Sequence, residues 1–102
     1  KPQSGSMPES AGINIYPNPF SYSATIVFDV PSGADGALSL SIYDISGRSV
    51  TTLIDEPMAA GFHSIAWDGT DSTGRSIGPG VYFCRVEGSS FNCTKRMILL
   101  KT

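Results

Sequence analysis

The chain has 102 residues, 40% of them apolar, and seven basic against nine acidic side chains give a net charge of -2. That length supports one domain with one core that removes roughly two-thirds of the unfolded surface from water. The charge balance excludes a field able to hold nucleic acid or an anionic membrane, and no stretch approaches the ~20 apolar residues of a membrane span. With 11 Gly, 7 Pro and many Ser and Thr, helices are disfavoured and short strands joined by tight turns are expected.

Residues 1–12, KPQSGSMPESAG, lack apolar periodicity and read as a linker or leftover segment before a domain spanning residues 13–102. The chain opens on Lys1 without a signal-peptide pattern, so it is expected to be part of a longer protein whose export signal lies upstream. Ile13 to Tyr16 alternates briefly and stops at Pro17-Asn18-Pro19, a rigid bend followed by Phe20 as an apolar plug. Ser23 to Val30 places Ala24, Ile26, Phe28 and Val30 on one face, and Ala37 to Tyr43 turns Leu38, Leu40 and Ile42 inward with Tyr43 outward.

Asp44-Ile45-Ser46-Gly47 then supplies a turn in which Gly47 takes the left-handed conformation, leading into a strand from Arg48 to Ile54. Phe62 to Trp67 sets His63, Ile65 and the single tryptophan, Trp67, on one face. Asp68, Gly69, Asp71 and Gly74 concentrate turn chemistry before Gly78-Pro79-Gly80 launches a sixth strand, Val81 to Glu87. Gly88-Ser89 suits a two-residue type II′ hairpin, with the last strand from about Ser90 to Leu100. Seven short strands at this spacing predict an all-β, antiparallel, immunoglobulin-like β-sandwich.

In that hairpin Cys84 faces Cys93 at a non-hydrogen-bonded pair, so a cross-strand disulfide and two unlinked, apolar-like thiols are both open. Tyr82-Phe83-Cys84 copies the Tyr-x-Cys spacing of strand F in antibody domains, but the matching cysteine on the second strand is absent.

The combination Tyr16-Pro17-Asn18-Pro19-Phe20, Ile42-Tyr43-Asp44 through Gly47-Arg48, Gly61-Phe62-His63, Trp67-Asp68-Gly69-Thr70-Asp71 with Gly74, Gly80-Val81-Tyr82-Phe83 with Arg85, and Lys95-Arg96-Met97-Ile98-Leu99-Leu100-Lys101 resembles the C-terminal sorting domains of the type IX secretion system. It is similar also to the immunoglobulin-like domain of flagellar hook-capping proteins. The resemblance covers Ile13 to Lys101, departing at Cys84, where an aromatic is common, and at the added Thr102. It implies a non-catalytic module of Bacteroidetes and related bacteria that sends a covalently linked N-terminal passenger through the periplasm and the type IX machinery to the outside or the cell surface. It also implies recognition through the last hairpin, by Gly80, Tyr82, Arg85, Lys95, Arg96, Met97, Leu99, Leu100 and Lys101, read by charge or by strand addition.

Other chemistry is weaker. His63 lacks a spaced nucleophile and reads as a packed or hydrogen-bonded side chain at a sheet edge, so no enzyme is expected. Asp68, Asp71 and Thr73 could offer oxygens to calcium, but Asp side chains bonding nearby amides fit the loop better, and no cofactor or metal is expected. Tyr16, Tyr22, Tyr43 and Phe83 could form a carbohydrate-binding platform if they converge, and a structural or assembly scaffold is the further alternative. The isolated domain is expected to be monomeric.

Overall fold

The computed structural model describes residues 12–32, 37–89 and 91–100. Seven strands follow in chain order: β1 (Ile13–Tyr16), β2 (Ala24–Val30), β3 (Leu38–Asp44), β4 (Ser49–Asp55), β5 (Gly61–Trp67), β6 (Gly80–Gly88) and β7 (Asn92–Leu99). They form two antiparallel sheets, a three-stranded one ordered β1-β2-β5 and a four-stranded one ordered β4-β3-β6-β7. In a constant-type immunoglobulin domain the fourth strand joins the first, second and fifth. Here β4 pairs with β3 instead.

Alternation builds the core. In β2 every second residue from Ala24 to Val30 is buried, and these face Ile13 and Ile15 of β1 and Trp67 of β5 within their sheet. Leu38, Leu40 and Ile42 of β3, Tyr82, Cys84 and Val86 of β6, and Cys93, Met97 and Leu99 of β7 close the core from the other side. Gly12, placed with the linker by its composition, accepts a hydrogen bond from Asp29 N and so lengthens the β1–β2 pairing by one step.

The last hairpin differs from expectation. Gly88 continues β6, its N–H donating to Phe91 O at 2.8 Å, so the turn falls one residue later than Gly88-Ser89. The cause is Phe91, which packs against the core and lies so close to Gly88 that a Cβ there would sit 2.4 Å from the ring. Burial of that ring outweighs a local turn preference. The shift sets Cys84 opposite Lys95 and Cys93 opposite Val86, and no disulfide joins the two cysteines. Stability rests on packing and hydrogen bonds.

Candidate recognition surface

Two turns share one construction. Asp44 Oδ1 accepts from Ser46 N at 3.0 Å, Ser46 Oγ at 2.7 Å and Arg48 N at 3.0 Å. Asp71 Oδ1 accepts from Thr73 N at 2.9 Å, Thr73 Oγ1 at 2.6 Å and Arg75 N at 3.1 Å. Gly47 and Gly74 complete the turns at φ 89° and 88°, where a side chain is strained. The hydroxyls of Ser46 and Thr73, then the backbone amides, hold both carboxyls below the ordinary carboxylate range. One oxygen of each carboxylate that suggested a cation is thus engaged with its own loop, Asp68 Oδ1 likewise accepting from Thr70 Oγ1 at 2.6 Å. The first turn closes the β3–β4 hairpin. The second lies beyond the Thr70–Ser76 bridge and docks on β4 through Ser72 N donating to Val50 O.

Tyr82 forms the corner that its spacing from Cys84 foreshadows: its hydroxyl donates to Gly78 O at 2.7 Å. Burial, then the Asp44 carboxylate, raises its pKa above the usual phenol value. Trp67 stands between Phe20, with ring centroids 5.6 Å apart, and Tyr82, at 6.0 Å, and its Nε1 donates to Thr70 O at 2.9 Å. This aromatic seam joins the two sheets.

The Pro17-Asn18-Pro19 bend, both of whose X–Pro bonds are cis, clasps β7. Asn18 Nδ2 donates to Arg96 O and Ile98 N donates to Asn18 Oδ1, each at 3.0 Å, so one side-chain amide imitates a neighbouring strand. Phe20 continues the imitation, its N–H donating to Ile98 O and its carbonyl accepting from Leu100 N. The outer edge of β7 from Arg96 O to Leu100 N is therefore already paired, and strand addition has no place there.

The residues predicted for recognition divide sharply. Met97 and Leu99 are core residues at 0% and 1% exposure, Tyr82 is committed to its corner, and Lys95, opposite Cys84, sits half-buried on the inner face. An inward lysine on an edge strand discourages edge-to-edge association. Arg96 and Leu100 are exposed, Arg85 and Gly80 are half-exposed, and Lys101 lies outside the described residues.

The outer face of the four-stranded sheet gathers the accessible members. Register places Tyr43, Phe83 and Arg96 in one row across β3, β6 and β7, and Ser41, Arg85 and Thr94 in the next. A shallow groove of about 250 Å³ runs over Tyr43, Phe83, Arg85 and Thr94 to Ile45 at the turn. Tyr16 stands on the other sheet, so the four aromatic residues considered for sugar binding do not share one face. His63 stacks on Phe28 at 5.6 Å and its Nε2 lies 2.6 Å from Ala59 O, which employs it structurally. Among the described residues no group of His, Cys, Asp and Glu is arranged to hold a metal, and no helix is long and apolar enough to cross a membrane.

Both turns were expected, but their common construction and the β7 clasp were not. The first had a signal in the repeated pattern Asp-x-Ser/Thr-Gly-Arg at Asp44–Arg48 and Asp71–Arg75. The second, between residues 78 and 80 positions apart, had none that is local.

Two antiparallel sheets, a tyrosine corner and an aromatic seam define an immunoglobulin-like β-sandwich. The chain belongs to the FlgD Ig-like domain family, whose model matches residues 19–91. Among solved structures it is similar to dimeric latent PorU from Porphyromonas gingivalis, with 30% identity and a TM-score of 0.67 over 89% of this chain and 9% of that one. PorZ, described as an essential surface component of the type-IX secretion system of the same organism, shares the fold at 24% identity and a TM-score of 0.61, over 95% of this chain and 12% of PorZ. FlgD from Xanthomonas campestris, described in connection with hook capping essential for flagellar assembly, is similar at 27% identity and a TM-score of 0.56, over 79% of this chain and 58% of FlgD. The chain thus spans only a small part of the two Porphyromonas proteins. No curated protein sequence matches it.

Proposed function

We propose that the domain is a non-catalytic C-terminal module that directs a covalently linked extracellular protein through the type IX secretion machinery to the outside or the cell surface. The observation that carries this reading is the clasp between Asn18 and β7. The FlgD Ig-like match leaves out the Tyr16-Pro17-Asn18 segment and all of β7, both of which the sorting-domain resemblance includes. The hydrogen bonds that Asn18 donates to Arg96 O and accepts from Ile98 N make them one unit on the last strand of the fold. Readout by the machinery then falls to exposed groups, chiefly Arg96 and Leu100 with Arg85, while Met97 and Leu99 hold the strand that presents them.

The test is a reporter fused ahead of residues 12–102, behind a signal peptide, in a bacterium with a type IX system. The intact fusion reaches the cell exterior, whereas Arg96→Glu combined with Leu100→Ser leaves it in the periplasm with the domain folded. Deleting residues 95–102 is a poorer probe, because it also removes the buried Met97 and Leu99. Unchanged export of the point variant would refute recognition through β7, and retention of the intact fusion would refute the sorting role.

A second reading, an assembly scaffold, is favoured by the FlgD Ig-like match over residues 19–91. It predicts that the intact fusion stays in the periplasm and that removing the domain from its parent protein prevents assembly rather than export.

A further inference from the structure

We propose that the outer face of the β4-β3-β6-β7 sheet is a docking surface for an acidic peptide segment of a partner protein. The inference goes beyond export and holds for either reading of the domain's role.

The face is graded along β6. Val81, opposite Ile98, is followed by Phe83, between Tyr43 and Arg96, then by Arg85, between Ser41 and Thr94, and last by Glu87. Apolar and aromatic groups thus lie at one end and cations across the middle. Arg85 and Arg96 are diagonal neighbours, close enough for one carboxylate-bearing segment to meet both. Neither cation is tightly held. The half-exposed Arg85 pairs with Glu87 only at 3.6 Å, and Arg96 takes part in no ion pair among the described residues. The groove beside them, about 250 Å³, lies below the usual range of small-molecule pockets and suits one apolar side chain. An extended segment that seats an apolar residue over Tyr43 and Phe83 and turns a carboxylate to each arginine matches all of these features.

Other occupants fit worse. A second copy packed by a two-fold axis along the strands sets Arg85 against Arg85 and Glu87 against Glu87, while an axis across the strands lays the Val81 and Ile98 row over the acidic end. A sugar needs acceptors for its hydroxyls beside the rings, and Asp44, the one carboxylate among the residues lining the groove, already accepts three hydrogen bonds at Oδ1 from Ser46 and Arg48.

The measurement is fluorescence anisotropy of the purified domain with a labelled dodecapeptide repeating Leu-Glu-Ser-Glu, against the same peptide with Lys for Glu. The acidic peptide binds, the basic one does not, and added salt weakens binding. Arg85→Glu and Arg96→Glu each lower affinity about tenfold or more, as reversal of an interfacial charge does. Amide shifts caused by the peptide map to Phe83, Arg85 and Thr94. Arg96 is exposed, so its variant keeps the test valid if Arg85→Glu disturbs folding, which circular dichroism reports. The proposal is overturned by no binding of the acidic peptide, by equal binding of the basic one, by unchanged affinity in the Arg96 variant, or by full displacement with oligoglucuronate at concentrations where the peptide is displaced by its unlabelled self.

Discussion

At the scale of single residues, the fold depends on side chains that answer backbone groups. Asp44 and Asp71 have carboxyls held below their ordinary value by hydroxyl and amide donors in the folded state only. Their contribution to stability is present above about pH 4, near the unfolded carboxyl value, and is lost as pH falls through the lower folded values. The thermal midpoint should therefore be level between pH 7 and 5 and drop below pH 4. An Asp44→Asn, Asp71→Asn double variant keeps an acceptor in each turn but has nothing to titrate, and its midpoint should fall less over the same range. A drop as steep as that of the parent would show that other carboxylates govern acid unfolding. Tyr82 makes the complementary case with a neutral donor. Tyr82→Phe removes only the hydrogen bond to Gly78 O and should cost about 1 kcal/mol in urea unfolding, within the ordinary range for one hydrogen bond. A change below the error of the measurement would make the corner dispensable. Cys84 works by its burial, which pushes its thiol up to about 12 and should keep it unreactive to a disulfide reagent at pH 8 until the protein unfolds.

At the scale of elements, the question is what ends a sheet. β7 is an edge strand, and the Asn18 amide with the Phe20 backbone occupies its outer hydrogen-bonding groups over residues 96–100. Asn18→Leu removes one donor and one acceptor at a partly wet edge. The Ile98 amide should then exchange with solvent at least about tenfold faster, while the Leu40 and Ile42 amides in β3 keep their rates, because local opening need not unfold the sheet. Equal acceleration everywhere would mean that the clasp supports global rather than local stability. All seven strands were legible, β2 and β3 most plainly from alternation, because burial of one face writes a period of two into the sequence, and β4, β6 and β7 from the turns that bound them. The inward position of Lys95 was not read, although it stands in step with Cys93, Met97 and Leu99, because the charge of the last strand pointed to recognition. The register of the last hairpin was not legible, since the turn residues favour Gly88-Ser89 and only the burial of Phe91 against the core shifts it. The candidate surface was half legible: Arg85 and Arg96 were visible as cations, but their meeting with Tyr43 depends on pairing β3 with β6 across forty residues.

At the scale of the whole molecule, neither sheet has a reason to exist alone. Each exposes an apolar face that only the other covers, and the Phe20–Trp67–Tyr82 seam is where they are joined most intimately. Trp67 is the single tryptophan, fully buried in β5 against residues of both sheets, so its fluorescence reports the junction while far-UV circular dichroism reports the strands. In urea the two signals should give one coincident transition, as expected of a small domain with a shared core. Trp67→Ala takes away ring contacts with Phe20 and Tyr82, loses the bond to Thr70 O and leaves a void that the close-packed sheets refill only in part. The loss should be about 3–5 kcal/mol, a large share of the roughly 5–15 kcal/mol typical of a domain, with little change in the denaturant slope. A smaller loss with a shallower slope would instead indicate that the sheets can part and persist separately. The seam would then be a hinge between two stable layers, and the aromatic groups that link them would serve motion rather than cohesion.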